Sequence, residues 1–254
     1  MTSTSGDNAS LKLSVLSLRY SSWSIRPLLA LYAAGAEFEV ETVTLPEMGI
    51  PVEDEGAALS AHLKSQRARR QEMGSVIGLY PVLHVGEVPI HESLAICEWV
   101  AESYPAARLW PEDPLERARA RSVSSEMATG FPHLRNHMSC QIFARVPNFQ
   151  PDEQTAFEIE RVFEIWQSYL DRSGGPFLFG EFGIPDCMYF PVLTRFRTYG
   201  VALPSALEDW ARRLESHPAV RSWMQLAKQA PPIPLYDAQV REMGGDPLAV
   251  FPAD

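Results

Sequence analysis

The stretch "GLYPVLHVGEVPIHESLAICEWV", Gly78–Val100, decides how the chain reads. Its runs "PVLHV" (Pro81–Val85) and "VPIH" (Val88–His91) flank Gly86-Glu87, the spacing of a hairpin with a tight turn. The period then changes: Leu94, Cys97, Val100 and Ala101 recur on one face of a helix expected over Ser93–Tyr104. Strands and helix share one short segment, so this part of the chain is α/β.

Upstream, "LKLSVLSL" (Leu11–Leu18) is an apolar run bounded by polar sequence, which predicts a buried strand. A helix follows over Ser24–Ala34, with Gly35 placed to end it, and "FEVETVTL" (Phe38–Leu45) alternates in strand fashion. Strand, helix and strand make a βαβ unit. Residues 46–60, with Pro46, Gly49, Pro51 and Gly56, read as a loop, and Ala61–Met73 as a basic helix.

Downstream, three prolines and several charges make Pro105–Pro114 a linker, beyond which strand signals nearly vanish. Helical periodicity runs over Glu116–Met138, Asp152–Asp171, Asp186–Tyr199 and Ser205–Ser216. Pro231–Asp254, with five prolines, reads as an irregular tail. The chain therefore divides into an α/β domain over 10–104, a linker over 105–114, an all-α domain over 115–230 and a tail over 231–254.

With 254 residues, 46% hydrophobic content, 6 Trp and 12 Phe, the chain can bury a large core. A net charge of -10 argues against a nucleic-acid partner, whose phosphates demand a basic face. The opening "MTSTSGDNAS" lacks a secretory pattern, and no apolar run approaches the ~20 residues of a membrane span, so no membrane partner and a cytoplasmic location are expected. Cys97, Cys140 and Cys187 are odd in number and far apart, which suits a reducing compartment and three buried thiols. A Gly-x-Ser-x-Gly elbow, a phosphate loop and a Gly-x-Gly-x-x-Gly fingerprint are all missing, and His91-Glu92 lacks the second histidine of a zinc protease helix.

One local feature stands out. In "RYSSWSIRPLLALYAAG" (Arg19–Gly35), Ser21, Ser22 and Ser24 crowd the start of an apolar helix, with Pro27 read as part of its first turn. One serine would serve as an N-cap. Three, beside unpaired amides and the positive end of the helix dipole, also suit an anion.

Taken together, the element order and these residues resemble the glutathione transferase family over about nine-tenths of the chain. "GLYPVL" looks like the family's Gly-x-Val-Pro turn, in which the proline is cis; this makes Pro81 that proline, with Tyr80 where the family usually has Val. "IHESLAICEWV" resembles its Glu-Ser helix start, and "SSWSIR" its serine-type active site, Ser-Ser-Cys-Ser-x-Arg in the zeta class, with Trp23 in place of the cysteine. "FLFGEFGIPD" looks like its folding box, with Asp186 present and Gly183 where a hydroxyl is usual.

The resemblance implies a thioredoxin-like domain followed by a helical bundle, a homodimer, glutathione as co-substrate and no metal. Ser21 is then the thiolate donor, or Ser22 if the helix begins one residue differently. Trp23, Tyr80, Pro81, Glu92 and Ser93 would bind glutathione, the last two at its γ-glutamyl end. A small hydrophobic electrophile would sit against Phe131, His133, Leu134 and His137 on the first long helix of the second domain. His133 and His137 have a metal-binding spacing, but a third ligand is lacking. The basic patch Lys64, Arg67, Arg69 and Arg70 is either a solvated helix face or a site for glutathione's glycyl carboxylate. Isomerase or ether-cleaving chemistry, and a non-catalytic scaffold on the same fold, stay open beside transfer.

Overall fold

The computed structural model describes residues 10–43 and 56–250. Strands β1 (Leu11–Val15), β2 (Glu39–Thr42), β3 (Val82–Val85) and β4 (Val88–His91) form one sheet in the order β2-β1-β3-β4. β1 and β2 run parallel because helix α1 (Ser22–Ala33) crosses between them, and β3 lies antiparallel to β1 and β4. Leu13 pairs with Val40 on one side and Leu83 on the other, and both leucines are fully buried. α1 closes over them with Ile25, Leu28 and Leu29, and packs on α3 (Ser93–Ser103). α2 (Gly56–Glu72) precedes the hairpin.

After a short 3₁₀ turn at Pro105–Ala107 the described chain is helical: α4 (Pro114–Thr129), α5 (Pro132–His137), α6 (Glu153–Ser173), α7 (Ile184–Tyr199), α8 (Ser205–Glu215), α9 (Pro218–Gln229) and α10 (Pro234–Glu242). α7 is the axis of this half, with all but Thr194 and Arg197 buried, and it packs on both α4 and α1. Trp166 and Trp210 meet beside it at 4.5 Å between ring centres, with Phe196 5.4 Å from Trp166. One apolar core therefore runs through both halves. No helix among the described residues is long and apolar enough to cross a membrane.

The start of α7 explains a departure from the family pattern. Asp186 accepts the Gly183 N–H at 3.1 Å, and no side chain at 183 returns the bond. A Cβ there would stand 2.6 Å from the Leu109 carbonyl oxygen, which accepts the Ile184 N–H at 2.9 Å. Close approach of the Leu109 backbone thus selects glycine over a capping hydroxyl.

Several expectations need correction. The helix expected over Glu116–Met138 is two, because Pro132 offers no N–H and disfavours helical geometry at Phe131, which sits at φ 58° after Gly130. The tail is irregular only in part: Pro234 opens α10 at its first position, where the missing amide costs nothing, and the described residues after Glu242 are mostly turns. α9 was not anticipated, α1 begins two residues earlier than expected, and residues 56–60 belong to α2. Pro27 lies in the second turn of α1 rather than the first. The loop read over 46–55 and the residues before 10 lie outside the described residues.

Candidate functional site

Ser21 is the N-cap of α1, in extended geometry, and its hydroxyl oxygen accepts the Ser24 N–H at 3.3 Å. It also lies 2.9 Å from the Ser24 hydroxyl, and the two share one hydrogen bond in which either can donate. Ser22 opens the helix, and its oxygen accepts from Arg195 Nη2 of α7 at 3.3 Å. Pro27 cannot donate to the Trp23 carbonyl one turn back; the Ser93 hydroxyl donates to it instead, at 2.9 Å. This bond ties the starts of α1 and α3 together.

A cleft of about 690 Å³ opens at these residues. Ser21, Ser22 and Trp23 line it beside Tyr20, with Arg70 from α2, Arg135 and Asn136 from α5, Arg195 from α7 and Tyr236 from α10. The α10 wall is held in place by Tyr20, whose hydroxyl donates to Asp237 at 2.8 Å and whose ring centre lies 5.1 Å from that of Tyr236. Burial, and then the bond to Asp237, pushes the Tyr20 hydroxyl up to about 12, so it stays protonated.

Positive charge accumulates behind the serines. Arg195 is 4% exposed and donates to the Met138 and Pro191 carbonyls at 2.7 and 2.9 Å. Arg26 has no exposed surface, stacks 4.3 Å from the Trp23 ring centre, and among the described residues none of its three nitrogens has a hydrogen-bond partner. Burial, with repulsion from Arg195 and Arg135, lowers its guanidinium to about 9. Arg135 reaches Trp23 from α5, at 5.4 Å. Such crowding of buried cations, one with no acceptor, fits an anion better than a neutral ligand.

The residues expected to bind glutathione form a second group. The Tyr80–Pro81 bond is cis, and the Tyr80 hydroxyl donates to the Met73 carbonyl at 3.1 Å. Glu92 adopts φ 77°, a left-handed geometry costly for a side chain of its size, and its Oε2 caps α3 through the Leu94 and Ala95 amides at 3.1 and 3.3 Å. Tyr80, Pro81, Glu92 and Ser93 do not line the cleft; Trp23, bonded to Ser93 and lining the cleft, joins the two groups.

The four residues expected to face the electrophile do not line this cleft. Phe131 and Leu134 are buried in the core, and neither His133 nor His137 lines the cleft. The break before Pro132 makes α5 a separate helix that turns Arg135 and Asn136 to the cleft. His137 instead sits 2.8 Å from the Thr155 hydroxyl, at the start of α6, and the His133 amide donates to Glu158. Of the basic patch, Arg70 lines the cleft, while Lys64, Arg67 and Arg69 are exposed. All three cysteines are buried and unpaired, and burial pushes their thiols up. Sequence reasoning missed Tyr20, Arg135, Arg195 and Tyr236. Only Arg195 carried a signal, a charge set within the apolar run "MYFPVLTRF".

Comparison with known proteins agrees with this architecture. The family profile "Glutathione S-transferase, N-terminal domain" matches residues 20–103, and "Glutathione S-transferase, C-terminal domain" matches 158–226. Maleylacetoacetate isomerase of Mus musculus is 30% identical over 183 residues, spanning 72% of this chain and 76% of that one. Glutathione S-transferase omega-2 of Homo sapiens is 28% identical over 159 residues, 61% of this chain and 59% of that one. A glutathione transferase homolog from Burkholderia, solved with bound glutathione, has the same fold, with a TM-score of 0.63 at 21% identity over 87% of this chain and 98% of its own. A four-stranded mixed sheet followed by helices, a cis-proline before β3, and relatives aligned across both halves lead to one assignment: the chain belongs to the glutathione S-transferase family.

Proposed function

We propose that the chain is a glutathione transferase in which Ser22 or Ser21 donates a hydrogen bond to the glutathione sulfur and directs the thiolate at a small electrophile in the cleft. The observation that supports this most is the opening of both serines, at a helix N-terminus, onto a cleft lined by Arg70, Arg135 and Arg195. A thiol ionising at about 8.5 is mostly protonated at neutral pH, and lowering that value by about two takes about 2.7 kcal/mol in favour of S⁻. A hydrogen bond to an anion contributes about 1.5–3 kcal/mol, and a partly buried helix N-terminus up to about 2. The two together suffice. The chemistry asks nothing of the chain's own thiols, which burial holds in the protonated form, Cys140 at the cleft included.

In this reading Tyr80, Pro81 and Trp23 align the tripeptide, while Glu92 and Ser93 hold its γ-glutamyl end. Glu92 Oε2 takes both α3 amides, which leaves Oε1 for the ligand's ammonium. With an aryl halide, the S–C bond forms as the C–halogen bond breaks, halide leaves with the electron pair, and the thiol proton passes to water. A homodimer in the cytoplasm belongs to the same reading. A second reading, a glutathione-dependent isomerase, is favoured by the relatives named maleylacetoacetate isomerase and by the arginine lining, which suits an acid.

The test is glutathione binding by calorimetry on wild type, Glu92→Ala, Ser21→Ala and Ser22→Ala, with aryl halide and maleylacetoacetate turnover on the same samples. Binding by wild type, weakened by Glu92→Ala, with turnover lost in one serine variant that still binds, supports the reading; the better substrate decides between transfer and isomerisation. Failure of wild type to bind at millimolar glutathione overturns both and leaves a scaffold.

A further inference from the structure

Burying a guanidinium without a carboxylate is expensive, so a chain that does so invites the question of what the charge is for. Arg195 is such a case. Its three hydrogen bonds go to the Met138 and Pro191 carbonyls and to the Ser22 hydroxyl, and among the described residues it forms no ion pair with a carboxylate. Around it stand Arg26 on α1 and Arg135 on α5, both cations, and the buried thiol of Cys140. Tyr199, on its own helix, is neutral and bonded to Ser139. The acids acting on this group are Glu92, toward Arg26, and Glu158, toward Arg135, and both already cap helices α3 and α5.

The bond to Ser22 has a direction. A guanidinium only donates, so the Ser22 oxygen accepts from it, and the hydroxyl's single proton must point elsewhere. Among the described residues nothing receives that proton, and Ser22 lines the cleft. The Ser21 hydroxyl accepts the Ser24 amide and shares one hydrogen bond with the Ser24 hydroxyl, in which either can donate, so its proton, unlike that of Ser22, has an acceptor within reach. We propose that Arg195 is a positioning residue that turns the Ser22 proton into the cleft, toward the sulfur of bound glutathione, and so makes Ser22 rather than Ser21 the donor. The proposal rests on the glutathione reading above. A donor already accepting from a cation is polarised, and its own hydrogen bond is strengthened.

The measurement is the pH at which the bound thiol ionises, followed by thiolate ultraviolet absorbance in the glutathione complex, with affinity from calorimetry and folding from thermal unfolding. In wild type the bound thiol ionises about two pH units below free glutathione. Arg195→Met raises that pH by about one or more, with affinity changed less than about threefold; Arg195→Lys, which keeps the charge but loses the fork, falls between. Ser22→Ala produces a rise as large as Arg195→Met, the double variant adds little to either, and Ser21→Ala has the smaller effect of the two serines. Should Arg195→Met fail to fold, Arg195→Lys carries the test of the arginine and the contrast between the serine variants that of the donor, and a wild-type ionisation pH in Arg195→Lys overturns the proposal. A bound thiol that ionises at the wild-type pH in folded Arg195→Met, or a larger rise in Ser21→Ala than in Ser22→Ala, overturns the proposal while leaving the transferase reading intact. Absence of glutathione binding in wild type overturns the reading beneath it.

Discussion

Replacing Asp186 by asparagine isolates an electrostatic cost built into the start of α7. Asp186 has no exposed surface and accepts from the Gly183 amide at 3.1 Å, the Leu178 amide at 3.3 Å and the Trp210 indole at 3.0 Å. Burial outweighs these donors and pushes its carboxyl from 3.8 up to about 6. Below pH about 4 the folded and unfolded forms both hold the proton, and the residue imposes no penalty. Between about 4 and 6 the unfolded chain ionises first, so stability falls as pH rises. Above about 6 the cost is complete, a shift of about two pKa units or about 3 kcal/mol. Asparagine never ionises here, and its amide, set against the Gly183 amide, adds a penalty of about 1–3 kcal/mol that does not vary with pH. Urea unfolding of wild type and Asp186→Asn from about pH 4 to 7 reads the difference, and acids elsewhere cancel because both proteins share them. Wild type is expected to be the more stable at the acid end and to lose about 3 kcal/mol relative to the variant by neutrality. A stability difference equal at the two ends would refute the reasoning.

Gly183→Ser, which restores the family's capping hydroxyl, is expected to lower the thermal midpoint by a destabilisation of about 1–3 kcal/mol, since its Cβ meets the Leu109 carbonyl at 2.6 Å; a higher midpoint would show that the cap outweighs the clash. Tyr20→Phe removes the hydrogen bond to Asp237 and is expected to cost about 1 kcal/mol, with faster hydrogen exchange at α10 amides; unchanged exchange there would mean that other contacts hold the helix.

The α/β half was legible because its periods are unambiguous. The Gly86-Glu87 turn between two short runs, and the change to helical spacing after Ser93, leave little freedom, and the observed β3, β4 and α3 follow them closely. The all-α half was legible in kind but not in its joints. Apolar spacing runs on through Phe131 and Leu134, so periodicity concealed a break that the local chemistry of Gly130 and Pro132 imposes. Proline counted as an irregular signal in the last segment, although at Pro234 it begins a helix. The serines could be singled out because a helix start is a local feature. Arg135, Arg195 and Tyr236 could not, because each reaches the cleft from a different helix, and the face a helix turns inward depends on packing that one chain's spacing leaves open.

The position of α10 gives the molecule an order of completion. Protein synthesis runs from the N-terminus, and the segment bearing Tyr236 and Asp237 is made after every other wall of the cleft. A chain halted just before Pro234 already carries the sheet, both serines, Arg26, Arg70, Arg135 and Arg195, yet Tyr20 has no Asp237 to bind and the cleft stands open along that side. A stop just before Pro234 would therefore leave every other wall of the cleft in place while removing the α10 wall.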